Sequence, residues 1–313
     1  MTAIQTENLQ KFYGQVHALD GLSLSVESGS IFGFLGPNGA GKSTTIRLLT
    51  GLARPSGGRA WVAGVEVGSS RQVAARIGYL PEEPAFYNWM TPVEFLDHVA
   101  RIFGIKAAER QTRTRQLLEQ VGLSEVRKRR IGGFSHGMRQ RLGLAQAIVN
   151  HPEVLFLDEP TSGLDPAGRK EVLDLIRQLR RQSTVFMSTH ILADVERVCD
   201  TVGILNHGRL VVEARQDELL SRYTIPAFEL ECDPGLEEAF KAWCESLKPA
   251  EWVSSVVING STARVVVKDV AQARQALLAR VVEAGLALRR YEIVTPSLED
   301  IFLRLVNGES REK

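Results

Sequence analysis

Gly36, Gly41, Lys42 and Ser43 stand at the spacing G-x-x-x-x-G-K-S within Gly36-Pro37-Asn38-Gly39-Ala40-Gly41-Lys42-Ser43-Thr44. A loop of this kind wraps a chain of phosphates. Glycines let the backbone turn tightly and approach phosphate oxygens closely. Lys42 is expected to reach the β- and γ-phosphates, and the Ser43 hydroxyl to hold Mg²⁺. The expected phosphate-binding set is Gly36, Asn38, Gly39, Ala40, Gly41, Lys42, Ser43 and Thr44. A helix beginning there adds a favourable dipole at its N-terminus. The ligand implied is a nucleoside triphosphate.

Two further clusters bear on the chemistry. Val154-Leu155-Phe156-Leu157-Asp158-Glu159 is a short apolar run closed by two carboxylates. Asp158 suits Mg²⁺ as a hard oxygen ligand, and Glu159 suits a general base that polarises water. Phe134-Ser135-His136-Gly137-Met138-Arg139-Gln140-Arg141 places a serine at a helix N-cap beside a glycine, where free amides face an anion.

The elements that must position these residues alternate between strand and helix, which argues for an α/β fold. Strands are expected at 4–9, 22–26, 30–34, 59–62, 77–79, 154–157, 184–187, 201–205 and 209–213. Helices are expected at 42–51, 166–181 and 191–199. From Pro92 to Val149 the pattern turns helical, so a helical insert interrupts the α/β core. A boundary is expected at 215–226. Beyond it the order is strand 228–231, helix 236–246, strand 253–258, strand 263–267, helix 270–284 and strand 286–293. That βαββαβ order is ferredoxin-like, with Asn259-Gly260 as the hairpin turn. Ser297 is expected to cap a last helix after Pro296.

The 313 residues carry a net charge of +1, which gives no global signature of nucleic-acid binding. No run of 18 apolar residues is present to span a membrane. The first residues, Met1-Thr2-Ala3-Ile4-Gln5-Thr6-Glu7, do not read as a secretory signal. Cys199, Cys232 and Cys244 show no ligand spacing and read as small buried residues. Residues 101–141 hold 11 Lys or Arg against 3 Glu, which fits a solvated helical face or a surface near lipid headgroups or a partner's loops.

Taken together, these motifs resemble the ATP-binding subunit of an ABC transporter over residues 1 to about 214. The Walker A loop falls on 36–43, the Walker B strand on 154–158 with its catalytic glutamate at Glu159, and the signature on 134–138. The D-loop falls on Ser162-Gly163-Leu164-Asp165, the switch histidine on His190, the adenine-stacking aromatic on Tyr13 and the Q-loop on 78–82. The resemblance implies a P-loop NTPase core at 1–214, with its helical insert at about 88–150, and an accessory domain at 226–310. ATP and Mg²⁺ are the implied cofactors, and Lys42, Glu159 and His190 the catalytic residues. Tyr13, Ser135, Gly137 and Asp165 would complete nucleotide binding, and Ser43, Asp158 and Glu82 the metal set.

Two positions depart from the family. His136 stands where glycine is usual in the signature, and Glu82 where glutamine is usual in the Q-loop. The first could alter closure or rate. The second could strengthen Mg²⁺ binding or repel phosphate.

One motif set per chain implies a dimer that sandwiches two ATP molecules, paired with a separate membrane-spanning permease and held at the cytoplasmic face of the cell membrane. Phe86, Tyr87 and Trp89 lie where the family docks that partner. The ending Thr295-Pro296-Ser297-Leu298-Glu299-Asp300-Ile301-Phe302-Leu303 resembles exporters of drugs, lipids or polysaccharides. An ABC ATPase acting on ribosomes or DNA, and an importer subunit, are the alternatives. Against the former, Lys42 and Ser135 are only 93 residues apart, too few for the long coiled coil of such proteins.

Overall fold

The computed structural model describes residues 1–68, 70–223, 227–294, 301 and 302. It divides into two compact units, Met1–Gln216 and Asp217–Lys313.

The first unit opens with β1 (Thr2–Tyr13), β2 (Val16–Glu27), β3 (Ile31–Leu35), α1 (Lys42–Leu49), β4 (Gly57–Val62) and β5 (Val65–Glu66). It continues with α2 (Ser70–Arg76), β6 (Ile77–Leu80), α3 (Pro92–Ile102), α4 (Ala107–Gln120) and α5 (His136–Ala147). It closes with β7 (Val154–Asp158), α6 (Pro166–Leu179), β8 (Thr184–Thr189), α7 (Leu192–Val198), β9 (Thr201–Asn206) and β10 (Arg209–Arg215).

A six-stranded sheet in the order β10-β9-β3-β8-β7-β6 forms the centre. It is parallel except for β10, which pairs antiparallel at the edge. Every residue of β3, β7 and β8 is buried. Strands covered on both faces need continuous apolar runs rather than alternation, which is why these three were legible as runs. Phe186 at the centre stacks on Phe32 at 5.4 Å and meets Phe34 at 5.1 Å and Phe156 at 5.7 Å. A second sheet, β2-β1-β4-β5, completes this unit's strands.

Register decides where the chemistry lies. Leu35 pairs with Thr189, and Asp158 with Ser188. The carboxyl ends of β3, β8 and β7 are therefore level, and the loops that follow them meet at one sheet edge, where ligands of open α/β sheets bind.

The second unit holds all but the first residue of α8 (Gln216–Tyr223), then β11 (Ala227–Cys232), α9 (Glu237–Leu247), β12 (Val253–Asn259), β13 (Thr262–Val267), α10 (Val270–Glu283) and β14 (Leu288–Val294). Its sheet runs β12-β13-β11-β14 with every pair antiparallel. That is the ferredoxin-like order. Phe228, Leu230 and Cys232 alternate along one face of β11 and join a core with Phe240, Trp243, Cys244 and Leu247 of α9 and Ala273, Leu277 and Val281 of α10. The helical spacings of three, four and eight place each set on one stripe.

Several elements differ from the sequence reading. β1 and β2 run longer, because β1 passes through register shifts around Leu9, next to Asn8 at φ +47°, and so breaks simple alternation. α2, β5 and α8 were not expected. α2 has seven residues and β5 two, too short to display a period; α8 occupies part of the expected boundary. The hairpin turn is Gly260-Ser261 rather than Asn259-Gly260, since Asn259 itself pairs with Thr262. Gly260 takes the left-handed φ of +58° that such a turn needs at its first central position. The expected last helix at Pro296–Asp300, with its Ser297 cap, and most of the exporter-like ending lie outside the described residues, although Ile301 and Phe302 are helical.

Candidate nucleotide site

The loop from Gly36 to Gly41 leaves the end of β3 and enters α1. Gly39 and Gly41 adopt φ +80° and +111°, a region that L side chains avoid. A Cβ on Gly41 would stand 2.5 Å from Ala18 O, and one on Gly36 2.5 Å from Leu205 O, so the loop is pressed against its neighbours at both ends. Gly41 caps α1 without a side-chain hydrogen bond, and the first turn carries no acidic residue. The first amides of α1 are thus left for an anion, with the helix dipole behind them.

Lys42 is 6% exposed. Its Nζ donates to Gly36 O at 2.7 Å and Pro37 O at 3.3 Å, and lies 3.3 Å from Glu159 Oε1. A desolvated ammonium facing the loop is the cation that phosphate recognition requires. Ser43 Oγ donates to Asp158 Oδ1 at 3.1 Å, and Ser188 Oγ donates to the same oxygen at 2.5 Å.

Glu159, buried, begins the turn after β7 at φ +47°, a strained backbone for a residue with a side chain. Its amide donates to Ser188 O at 3.1 Å. Its Oε2 accepts from His190 N at 3.3 Å and from His190 Nδ1 at 2.9 Å. A carboxylate only accepts, so Nδ1 carries the proton. The carboxylate is therefore held between an ammonium on one side and an imidazole on the other. Tyr79 on β6 is half-buried; burial first, and the Asp158 carboxylate second, push its phenol above the usual range, so it stays neutral.

The fold brings Lys42, Ser43, Asp158, Glu159 and His190 together. Ser135, Gly137 and Asp165 gather in a separate cleft with Gly163 and Leu164. Ser135 Oγ caps α5 by accepting from Met138 N at 3.3 Å, and Asp165 Oδ1 caps α6 by accepting from Gly168 N at 3.0 Å. Tyr13 is exposed with Lys11 Nζ 4.8 Å above its ring. Glu82 is exposed, and its carbonyl accepts from Gln140 Nε2 at 3.0 Å. Asp158 and the Ser43 hydroxyl supply two hard oxygens, a donor set that fits Mg²⁺ when phosphates complete its shell. Among the described residues no group of three or more His, Cys, Asp or Glu could hold a metal alone.

Sequence reading missed a buried network beside this site. Asp194 of α7 is fully buried; it accepts from Thr161 Oγ1 and from Arg169 Nε, each at 2.5 Å. It thus joins the turn after Glu159 to α6 and to the helix that follows His190. Ser188, the second donor to Asp158, was also missed. A buried carboxylate 33 residues from its hydroxyl donor leaves no local pattern.

Comparison with known proteins follows the same outline. Residues 19–162 match the family model described as ABC transporter, and residues 215–306 the one described as ATP-binding protein DrrA1-3-like, C-terminal domain. The chain is 40% identical over 305 residues to the uncharacterized ABC transporter ATP-binding protein YxlF of Bacillus subtilis (strain 168), covering 97% of this chain and 100% of that one. It is 36% identical over 315 residues to the daunorubicin/doxorubicin resistance ATP-binding protein DrrA of Streptomyces peucetius, covering 99% and 94%. A solved ATP-binding subunit of an ABC transporter superposes with a TM-score of 0.64 at 30% identity, over 71% of this chain and 93% of that one.

Proposed function

The chain belongs to the ABC transporter ATP-binding family, and from that premise we propose that it is the Mg²⁺-dependent ATPase subunit of a drug exporter, working as a dimer on a separate permease. The observation that carries the catalytic part is Glu159, buried at the sheet edge and held between Lys42 and His190. A carboxylate fixed there can take a proton from water as it attacks the γ-phosphate.

Each residue has a task in that reading. Lys42 leaves its loop carbonyls for the β- and γ-phosphates. Ser43 and Asp158 would hold Mg²⁺, which supplies charge neutralisation on the phosphates. His190 donates from Nδ1 to keep the Glu159 carboxylate aimed. Tyr13 stacks on adenine. Ser135 and Gly137 of one chain face the nucleotide held by the phosphate loop of the other, so hydrolysis requires closure. ATP favours the closed dimer and hydrolysis releases it, a shift set by differential affinity for the two states.

Drug export is supported by the match of residues 215–306 to a DrrA-like domain and by the full-length similarity to drug-resistance ATP-binding proteins. Among the described residues no helix is long and apolar enough to cross a membrane, so the path for the drug falls to the permease. Its docking surface is supported by two neighbouring features. Leu52, Ile77, Tyr79, Val99, Phe103 and Ala147 line an apolar groove of about 280 Å³. Tyr87 and Trp89, 45% and 66% exposed, meet in a tilted pair at 5.0 Å, and Tyr87 packs edge-on against Phe95 and His98 of α3. Exposed aromatics of this kind anchor interfaces.

The test is capture from membranes. The Glu159→Gln chain, tagged and expressed in its native cells, is extracted in mild detergent with ATP. A stoichiometric multi-spanning protein is the expected companion. Ribosomes or nucleic acid in its place would overturn the exporter reading.

A further inference from the structure

His136 occupies the signature position where the family usually has glycine, and its side chain makes a defined contact. Nε2 lies 2.9 Å from Ser162 O in the turn before α6. A carbonyl only accepts, so Nε2 carries the proton. The imidazole also packs against Gly163, where a Cβ would stand 3.4 Å from Nε2 on a backbone at φ +67°. A Cβ on Gly137 would meet Leu164 Cδ2 at 3.6 Å. The first turn of α5 and the loop 162–165 therefore form one packed surface.

The residue that leads into this loop is anchored as well. Thr161 donates to the buried Asp194, four residues beyond His190 on α7. A continuous path runs from the helix behind His190, through Asp194, Thr161 and Ser162, to His136 and the turn that carries Ser135.

We propose that His136 is a positioning residue that couples the two half-sites of one chain: the half that holds its own nucleotide, and the signature half that serves the partner's. This inference rests on the composite-dimer reading above. His136 acts by fixing where Ser135 and Gly137 stand relative to the loop 162–165. Glycine at this position would leave the two loops without their hydrogen bond, so the departure from the family pattern adds a link.

The experiment is steady-state ATP hydrolysis by the full-length chain as wild type, His136→Met and His136→Gln. Methionine fills similar volume without a donor, whereas the glutamine amide extends about as far from the backbone as imidazole Nε2. His136→Met is expected to lower kcat about threefold to tenfold, the factor one ordinary hydrogen bond supports. KM for ATP should stay within about twofold, because the chain's own phosphate loop and Tyr13 are untouched. His136→Gln is expected to restore most of kcat. Equal kcat for wild type and His136→Met, or a glutamine variant no better than methionine, would overturn the proposal. The Glu159→Gln chain separates the two levels. If it hydrolyses ATP like wild type, the nucleotide-site reading falls and this inference falls with it. If it is inactive while the His136 series is flat, only the coupling falls.

Discussion

Replacing Asp194 by alanine should cost the first unit stability out of proportion to a single side chain. The carboxylate is fully buried and accepts two hydrogen bonds, from Thr161 and from Arg169. Removing one partner of a buried ion pair costs about 3–5 kcal/mol, because the other charge is left without compensation. The Arg169 side chain is 30% exposed and recovers part of that in water. Thr161 is 2% exposed, so its hydroxyl recovers little, adding about 1–3 kcal/mol for an unsatisfied buried group. The discounted sum is about 3 kcal/mol. For a unit of roughly 200 residues each kcal/mol moves the midpoint by about 2–4 °C, so the first thermal transition should fall by about 6–12 °C. Calorimetry on the full chain reads it directly. A double-mutant cycle with Thr161→Val isolates the pair and should show a coupling of at least about 0.5 kcal/mol. A shift below about 2 °C for Asp194→Ala, or strict additivity with Thr161→Val, would refute this account of the network.

Three other outcomes follow from the geometry. Lys42→Ala should weaken ATP binding by about tenfold to hundredfold, the worth of a charge-assisted contact to phosphate; titration with a fluorescent ATP analogue checks it, and unchanged affinity would remove Lys42 from the site. Native protein should react slowly with a thiol reagent at pH 8, because burial raises all three thiols, Cys244 to about 12, whereas unfolded protein should show three fast thiols. The hydrogen bond from Arg110, with help from Arg101, holds the Asp97 carboxyl below the usual range. Its contribution is therefore present above the unfolded carboxyl's pKa of about 3.9 and lost as pH falls through the lower folded value; Asp97→Asn should destabilise modestly at pH 7 and not at about pH 2, as read by melting midpoints.

The parts of the fold legible in the sequence were those with a local signature. The phosphate loop sits between an apolar run and a helix, and the buried strands β3 and β7 and the centre of β8, Val185–Met187, are apolar runs. Ser135 read as an N-cap because a capping side chain acts within three residues of its own position. Long-range partnerships were not legible. Nothing near Asp194 announces that it will meet Thr161 and Arg169, and nothing near His136 announces a carbonyl 26 residues away. Short elements escaped for a related reason: α2 buries one apolar residue, Val73, too few to show a helical period.

The account turns on Glu159 as the group that activates water. The most direct measurement is single-turnover hydrolysis of ATP by the Glu159→Gln chain, with nucleotide retention and oligomeric state followed on the same sample. The account expects ATP to remain bound in a dimer and hydrolysis to slow by about 10²- to 10⁴-fold, the range for losing a general base. Hydrolysis within about twofold of wild type would contradict it.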